Sequence, residues 1–429
     1  MKKIILTLLL FLISQSAFGG EMEEFRLKNN IKVIFDQTNG IGVVSMKVFT
    51  PVAAVSETKE NAGISVLAAN LMVKSTKNRS SEILARDADN IGADLSASVD
   101  YDAQHINISF LSEYFDKAAE ILSDAVKNPA FNDDEIIAEK KNIIAGLNAR
   151  KDSIFNTAID NFTLDFYKNT PYALTVLGSE ESLNAVTRIQ LEAWHKYSFN
   201  SSNILISVSG NIDKKTLKNS LEKYFGDIES GDKFKDSDFG VDNKESKTVN
   251  VKGKFNQAYI MKGFPAPNLK SKDAAVLKVA GAVLGGRMTS RLFTELREKL
   301  GLAYEVSAIY PSRTHESYFI IYIGLDKKNI DLTLRKIDEI LKDICSNEVD
   351  EQELKDTKTY IKGLYIMDRQ TVGRKSFYYG WRETVGQGYG YDNKYLEDIE
   401  KVSSKDILDT LNKIFKQNSL TIIVRPDEK

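Results

Sequence analysis

The chain has 429 residues, 42% hydrophobic and 28% charged, with 7 prolines and 25 glycines. That length suits two domains of about 200 residues each, and the composition is that of a folded protein, not a fibrous or disordered one. Its 58 basic and 60 acidic residues leave a net charge of -2, which excludes a general binder of nucleic acid or anionic membrane, because engaging phosphates needs a basic excess.

At the N-terminus Lys2 and Lys3 precede the apolar run Ile4 to Ile13, and Ala17-Phe18-Gly19 fits the small-x-small rule of signal peptidase. Residues 1–19 are therefore predicted to be a signal peptide and the mature protein to be periplasmic. The run is short for a span, which makes a retained anchor the lesser alternative. No later stretch approaches eighteen continuous apolar residues, so no stable membrane insertion is expected.

The rest of the chain reads twice. In the first half Ser80-Ser81 opens a helix, Asn90-Ile91-Gly92-Ala93 ends it, and the alternating Leu95-Ser96-Ala97-Ser98 starts a strand at once. In the second, Thr289-Ser290 opens a helix, Lys299-Leu300-Gly301-Leu302 ends it, and Tyr304-Glu305-Val306-Ser307 follows. A glycine at each helix end takes a left-handed C-cap at little cost. A second strand comes next (His105 to Leu111; Tyr318 to Ile323), then a long amphipathic helix through Ala118, Ile121, Leu122 and Val126, or through Leu332, Leu334, Ile337, Ile340 and Leu341. Short acidic links, Asp133-Asp134-Glu135 and Asp350-Glu351-Gln352-Glu353, lead into another long helix. Thr187 or Ser403 caps the last helix, and an apolar strand closes each half at Ile204 to Val208 or Leu420 to Val424. The offsets, roughly 209, 218 and 216 residues, describe one tandem duplication. Glu229 to Lys247 is polar and without periodicity, a linker by composition. The predicted architecture is α+β: two tandem homologous lobes, 20–228 and 248–429, joined by 229–247, each a mostly antiparallel sheet covered by helices on one face.

Four features have ordinary readings. Cys345 is the lone cysteine, among apolar helix positions, and reads as an inert buried thiol. Gly285-Gly286-Arg287 lacks the spacing of a phosphate loop and reads as a hinge. Asp133, Asp134 and Glu135 complement a helix dipole. The aromatic stretch Tyr378-Tyr379, Trp381 and Tyr389-Gly390-Tyr391 is open between core packing and the lining of a peptide cavity or partner surface.

Several blocks resemble the insulinase/pitrilysin zinc peptidases, which include the mitochondrial processing peptidase. Gly63-Ile64-Ser65-Val66-Leu67 through Lys74-Ser75-Thr76 resembles the segment that carries the family's inverted H-x-x-E-H zinc motif. Asn169-Thr170-Pro171-Tyr172, Gly178 through Leu183, and Ser209-Gly210-Asn211-Ile212-Asp213 resemble the stretches around the closing strand. Leu284-Gly285-Gly286, Ser290-Arg291-Leu292, Leu296-Arg297-Glu298 and Gly301-Leu302-Ala303-Tyr304 resemble the C-terminal signature.

Laid on that pattern, the zinc positions hold Val66 and Asn70 for the histidines, Ala69 for the glutamate, and Gly146 where the downstream glutamate ligand falls. Catalytic zinc needs about three nitrogen or carboxylate donors and an open position for water. The chain's three histidines, His105, His195 and His315, include no pair one helical turn apart. Ile64, Leu67, Ala68, Leu71 and Met72 form a buried stripe, and Val66, Ala69, Asn70 and Val73 are expected on the opposite side, a scaffold kept while its chemical face became neutral.

The second half keeps Arg297 and Tyr304, which the resemblance implies help hold a scissile peptide and stabilise its developing charge; a guanidinium and a phenol are suitable preorganised donors. The plainer readings are a surface ion-pair partner for Arg297, beside the apolar Leu292, Phe293, Leu296 and Leu300, and a core tyrosine for Tyr304, which alternates with Leu302 and Val306. The function expected is the non-catalytic subunit of a periplasmic heterodimeric zinc peptidase, binding no cofactor itself and serving a zinc-bearing homologous subunit and its peptide substrate. The alternative is a stand-alone peptide-binding or scaffold pseudo-peptidase of the cell envelope.

Overall fold

The computed structural model describes residues 22–427 apart from 41 and 242; the predicted signal peptide lies outside the described residues. Strands β1 (Met22–Arg26), β2 (Lys32–Gln37), β3 (Val43–Thr50), β4 (Asp94–Val99), β5 (Gln104–Leu111) and β6 (Leu205–Gly210) form one sheet in the order β1-β2-β6-β3-β5-β4. Strands β7 (Lys247–Gly253), β8 (Ala258–Ala266), β9 (Ala303–Ile309), β10 (Ser317–Leu325) and β11 (Leu420–Pro426) form a second, in the order β7-β11-β8-β10-β9. Without β1 the two orders are the same, and each sheet has one parallel pair, β2 with β6 or β7 with β11, among antiparallel ones. The duplication and the mostly antiparallel α+β lobes are as expected.

Each sheet packs its own lobe's helices on one face. In the first lobe these are α1 (Ile64–Met72), α2 (Ser81–Asp89), α3 (Phe115–Lys127) and α4 (Asp133–Lys151), then, after α5 (Ile154–Phe166), α6 (Glu180–Ala185), α7 (Arg188–Ser198) and α8 (Lys214–Phe225). The second lobe has α9 (Ala274–Leu284), a π-wound segment (Phe293–Lys299), α10 (Ile330–Ile344) and α11 (Glu351–Asp368), then, after α12 (Val372–Thr384), α13 (Tyr391–Lys401) and α14 (Ser404–Phe415). Period-2 alternation turns Val44, Met46, Val48, Ile106, Ile108 and Phe110 into the first core, and Phe319, Ile321 and Ile323 into the second. The caps fall where expected: Thr187 and Ser403 each build a capping box, and Gly92 and Gly301 both have φ of 58°.

The other face of each sheet is covered by a helix from the opposite lobe, which the sequence pattern did not reveal. Helix α5 leaves the first lobe and packs Ala158, Phe162 and Phe166 against Tyr259, Met261, Tyr318 and Ile320 of the second sheet. Helix α12 makes the return exchange, setting Tyr379, Phe377 and Trp381 against Ile34, Phe49 and Leu205 of the first. Both contacts use a glycine. A Cβ at Gly263 of β8 would lie 2.3 Å from the Phe162 ring, and one at Gly380 of α12 would lie 2.2 Å from the Phe49 ring. Phe49 and Phe162 are fully buried, and each such ring contributes about 2–3 kcal/mol by leaving water.

Polar ties reinforce the clasp. Asp102 of the first lobe accepts hydrogen bonds from the Tyr172 hydroxyl and, at 2.5 Å, from the Thr314 hydroxyl of the second lobe. Arg313 lies over the rings of Tyr101 and Tyr172, 4.1 and 5.3 Å from their centroids, and Lys32 meets Glu383 at 2.6 Å. The described residues of the connector between α8 and β7 are coil but pinned. Phe234 N–H donates to Asn203 at 2.6 Å, Val241 N–H donates to Glu316 at 2.8 Å, and Phe239 stacks on His315 with centroids 4.0 Å apart.

A glycine-to-alanine change inside an exposed helix normally gains about 1 kcal/mol. At Gly380 the sign should reverse: we expect Gly380→Ala to cost roughly 1–3 kcal/mol through overpacking. Denaturant unfolding would show it, and Phe49→Leu in the same chain should recover part of the loss.

Candidate functional site

Helix α1 begins at Gly63, held at φ of 90° with no room for a Cβ beside the Leu177 carbonyl. The buried Glu57 carboxylate reaches across its N-terminus and accepts from Gly63 N–H at 2.7 Å and Ser65 N–H at 2.9 Å, a cap that complements the helix dipole. Burial outweighs those bonds and pushes the Glu57 carboxyl up to about 7.

The helix corrects one expectation. Val66 and Ala69 do not line an open side; both are buried in the same core as Leu67 and Leu71, so α1 is apolar nearly all round. Asn70 is the exception. Its amide donates to Glu139 of α4 at 2.8 Å. Gly146, two turns further along α4, is exposed. Sequence reasoning missed Glu139, although its position seven residues before Gly146, on the same helix face, was a readable signal.

The donor set does not suit zinc. One amide and one carboxylate face each other, and Val66, Ala69 and Gly146 supply no ligand atom, against the three donors a catalytic zinc requires. No group of three or more His, Cys, Asp or Glu side chains placed to hold a metal occurs among the described residues. The histidines are committed elsewhere. His105 stacks on Phe49 at 4.7 Å, and burial, with Lys47 nearby, depresses it to about 3. His195 Nε2 meets the Val126 carbonyl at 2.7 Å, and His315 Nε2 meets Asp236 at 3.0 Å.

In the second lobe Leu292 and Leu296 anchor the π-wound segment, and Arg291 ties it to Glu353 at 2.9 Å and Asp343 at 3.1 Å. π-Winding is rare and favours functional positions. Arg297, on its outer side, is exposed and lies over the Phe293 ring, 5.1 Å from the centroid. No carboxylate stands at ion-pair distance from it among the described residues, which replaces the reading of a surface ion pair.

Tyr304 is not a core tyrosine either. Across the β9–β10 ladder Leu325 faces Ala303 and Gly324 faces Glu305, so Tyr304 is the extra residue of a β-bulge. The bulge moves Ala303 to the buried side with Val306 and Ala308 and leaves Tyr304 55% exposed. Bulges next to functional positions re-aim side chains in this way. Strand β9 is also the sheet edge, so the phenol stands beside backbone groups with no neighbouring strand on one side.

The remaining features resolve simply. Gly285 lets α9 approach β9, since a Cβ there would sit 2.2 Å from Ala308 N, so Gly285-Gly286 is a close contact. Cys345 is half-buried and burial raises its thiol. Of the aromatic stretch, Tyr379 packs on the first sheet, while Tyr378, Trp381 and Tyr391 line a cavity in the second lobe.

This fold and this pair of lobes match a known class. The family model described as Insulinase (Peptidase family M16) matches residues 32–180, and that described as Peptidase M16 inactive domain matches residues 185–361. The chain belongs to the M16, or insulinase, peptidase family. A Rickettsia felis protein named Uncharacterized zinc protease is 27% identical over 411 residues, spanning 94% of this chain and 97% of its own. A Helicobacter pylori protein named Non-peptidase homolog YmxG is 25% identical over 443 residues, across 100% of this chain and 99% of its own. The crystal structure of a protease from Helicobacter pylori shares the fold with a TM-score of 0.88 at 20% identity, covering 95% of this chain and 100% of that one.

Two outcomes follow from this geometry. The purified chain should carry no stoichiometric zinc by metal analysis; one tightly held zinc per chain, lost on replacing a histidine, would contradict the donor count. Glu57 should make stability pH-dependent. Its folded pKa lies above the ordinary 4.5, so its favourable contribution is complete below 4.5 and is lost as pH rises through about 7. The stability of wild type relative to Glu57→Gln should therefore fall by roughly 3 kcal/mol between pH 4 and pH 8 in urea unfolding.

Proposed function

We propose that this chain is a pseudo-peptidase: the non-catalytic subunit of a periplasmic heterodimeric zinc peptidase, lending Arg297 and Tyr304 to the metal site of a zinc-bearing homologous partner that degrades or processes extended peptides. The observation that carries this reading is the contrast between the lobes. On α1 the metal positions are apolar or locked in the Asn70–Glu139 hydrogen bond, whereas in the second lobe Arg297 and Tyr304 stand exposed.

A side chain kept for folding would be buried or paired. Here a π-wound segment and a β-bulge, two local departures from regular structure, present a guanidinium and a phenol to solvent. Both are exposed donors suited to a substrate carbonyl or oxyanion from outside the chain. Past the bulge, the open edge of β9 still offers an extended peptide a short ladder of backbone hydrogen bonds. The name of the Helicobacter pylori relative, Non-peptidase homolog, supports the loss of chemistry on this chain. No helix among the described residues is long and apolar enough to cross a membrane, and the N-terminal segment reads as an export signal.

The test is reconstitution with the zinc-bearing homologue from the same cell. Loss of one preorganised oxyanion donor costs about 100- to 1000-fold in turnover, so Tyr304→Phe and Arg297→Ala should each slow peptide cleavage on that scale while assembling normally. Full activity in both variants would make the pair structural. Failure of the wild-type chain to bind any zinc-bearing homologue would favour a stand-alone binding protein instead.

A further inference from the structure

The second lobe holds a cavity of about 610 Å³ between α9, α11, α12 and α13, a size that suits a small ligand. Tyr365, Tyr378, Trp381, Tyr391 and Tyr395 supply aromatic walls, and Leu364 an aliphatic one. It lies apart from Arg297 and Tyr304, neither of which lines it.

Its charges are unevenly matched. Asp368 is taken by Arg374 through two hydrogen bonds of 3.0 Å. Asp392 is taken by Arg369, also bidentate, at 2.8 and 2.7 Å, and that guanidinium is sandwiched between Tyr365 and Tyr378. Asp100 of the first lobe also lines the cavity, and its Oδ1 accepts the backbone N–H groups of Asp102 and Ala103. Two cations remain. Lys278 donates to the Tyr310 carbonyl at 2.7 Å, and Arg382 donates to Gln387 and stands 4.0 Å from Asp392. Arg382 is more than nine-tenths buried; its Nε–H makes no hydrogen bond and has only the Asp392 carboxylate 4.0 Å away, and the indole N–H of Trp381 beside it makes no hydrogen bond either. Buried donors of this kind are costly unless something accepts from them.

The duplication sharpens the point. Helix α9 is the second-lobe counterpart of α1, and Lys278 stands six residues before its end, as Val66 does in α1.

We propose that this cavity binds a carboxylate borne on an apolar or aromatic body, such as the C-terminal end of a peptide, with Lys278, Arg382 and the Trp381 indole N–H as its donors. The aromatic walls take the apolar part, and a fork of nitrogen donors suits a planar carboxylate. The small, strongly hydrated phosphate ion has no use for such walls. This site belongs to the chain alone and does not depend on a zinc-bearing partner, so its test is separate from that of the proposed function.

The test is calorimetric titration of the full chain with Ala-Ala-Phe as the free acid, the same tripeptide as its C-terminal amide, 3-phenylpropionate and inorganic phosphate. The free acid should bind, and the amide should bind about tenfold more weakly or less, the scale of one charge-assisted hydrogen bond. Tripeptide acid tighter than phenylpropionate identifies a peptide end as the ligand; equal affinities identify a small aromatic acid of the same class. Lys278→Met, which keeps the length and removes the charge, should erase the difference between acid and amide. Trp381→Phe, which keeps a ring, should weaken the acid alone, and thermal melts check that both variants fold. Equal binding of acid and amide, no binding of the acid at millimolar concentration, or displacement of the acid by phosphate would overturn the proposal, as would wild-type affinity in both variants.

Discussion

The two lobes depend on one packing arrangement, the exchange of α5 and α12 across the molecule. A sheet needs both faces covered unless one is polar enough for water, and here neither lobe supplies the second cover itself. Phe162 enters the space left by Gly263, and Phe49 the space left by Gly380. Because each lobe completes the other, the pieces should open together, and the pinned connector adds to a clasp it does not create.

Duplication explains why the halves could diverge. The same framework holds α1 and α9, α4 and α11, so a residue on one face can change without moving the scaffold. In the first lobe the positions that the family resemblance assigns to a metal hold Val66, Ala69 and Asn70. Val66 and Ala69 are part of the core, and Asn70 donates to Glu139. In the second lobe Lys278 of α9 lines a cationic, aromatic cavity. The two lobes differ in kind: α1 is packed into a core, while α9 lines a cavity with a charged side chain.

Much of this was legible in the residues. Glycine at 92 and 301, the hydroxyls at Thr187 and Ser403, and the apolar closing strands are local signals, and each marked its element correctly. The destination of α5 and α12 was not legible, because an apolar stripe says that a helix is buried but not against which sheet. The plainer reading of Tyr304 as a core residue failed because period-2 reasoning assumes an unbroken ladder, and a single extra residue inverts it. The open side expected of α1 failed because small and branched residues at Val66 and Ala69 pack as readily as they line a cleft. Glu57 and Glu139 act from distant or neighbouring elements, beyond the reach of spacing alone.

The bulge at Tyr304 has a second effect. Strand β9 is an outer strand, and an unpaired strand of regular pitch is a template on which other chains stack into insoluble assemblies. By interrupting the ladder where it would start, the bulge denies such a template a long flat run. The residue that points the phenol outward therefore also guards against self-association, and a chain trimmed by one residue at Ala303 or Tyr304 would lose both properties together.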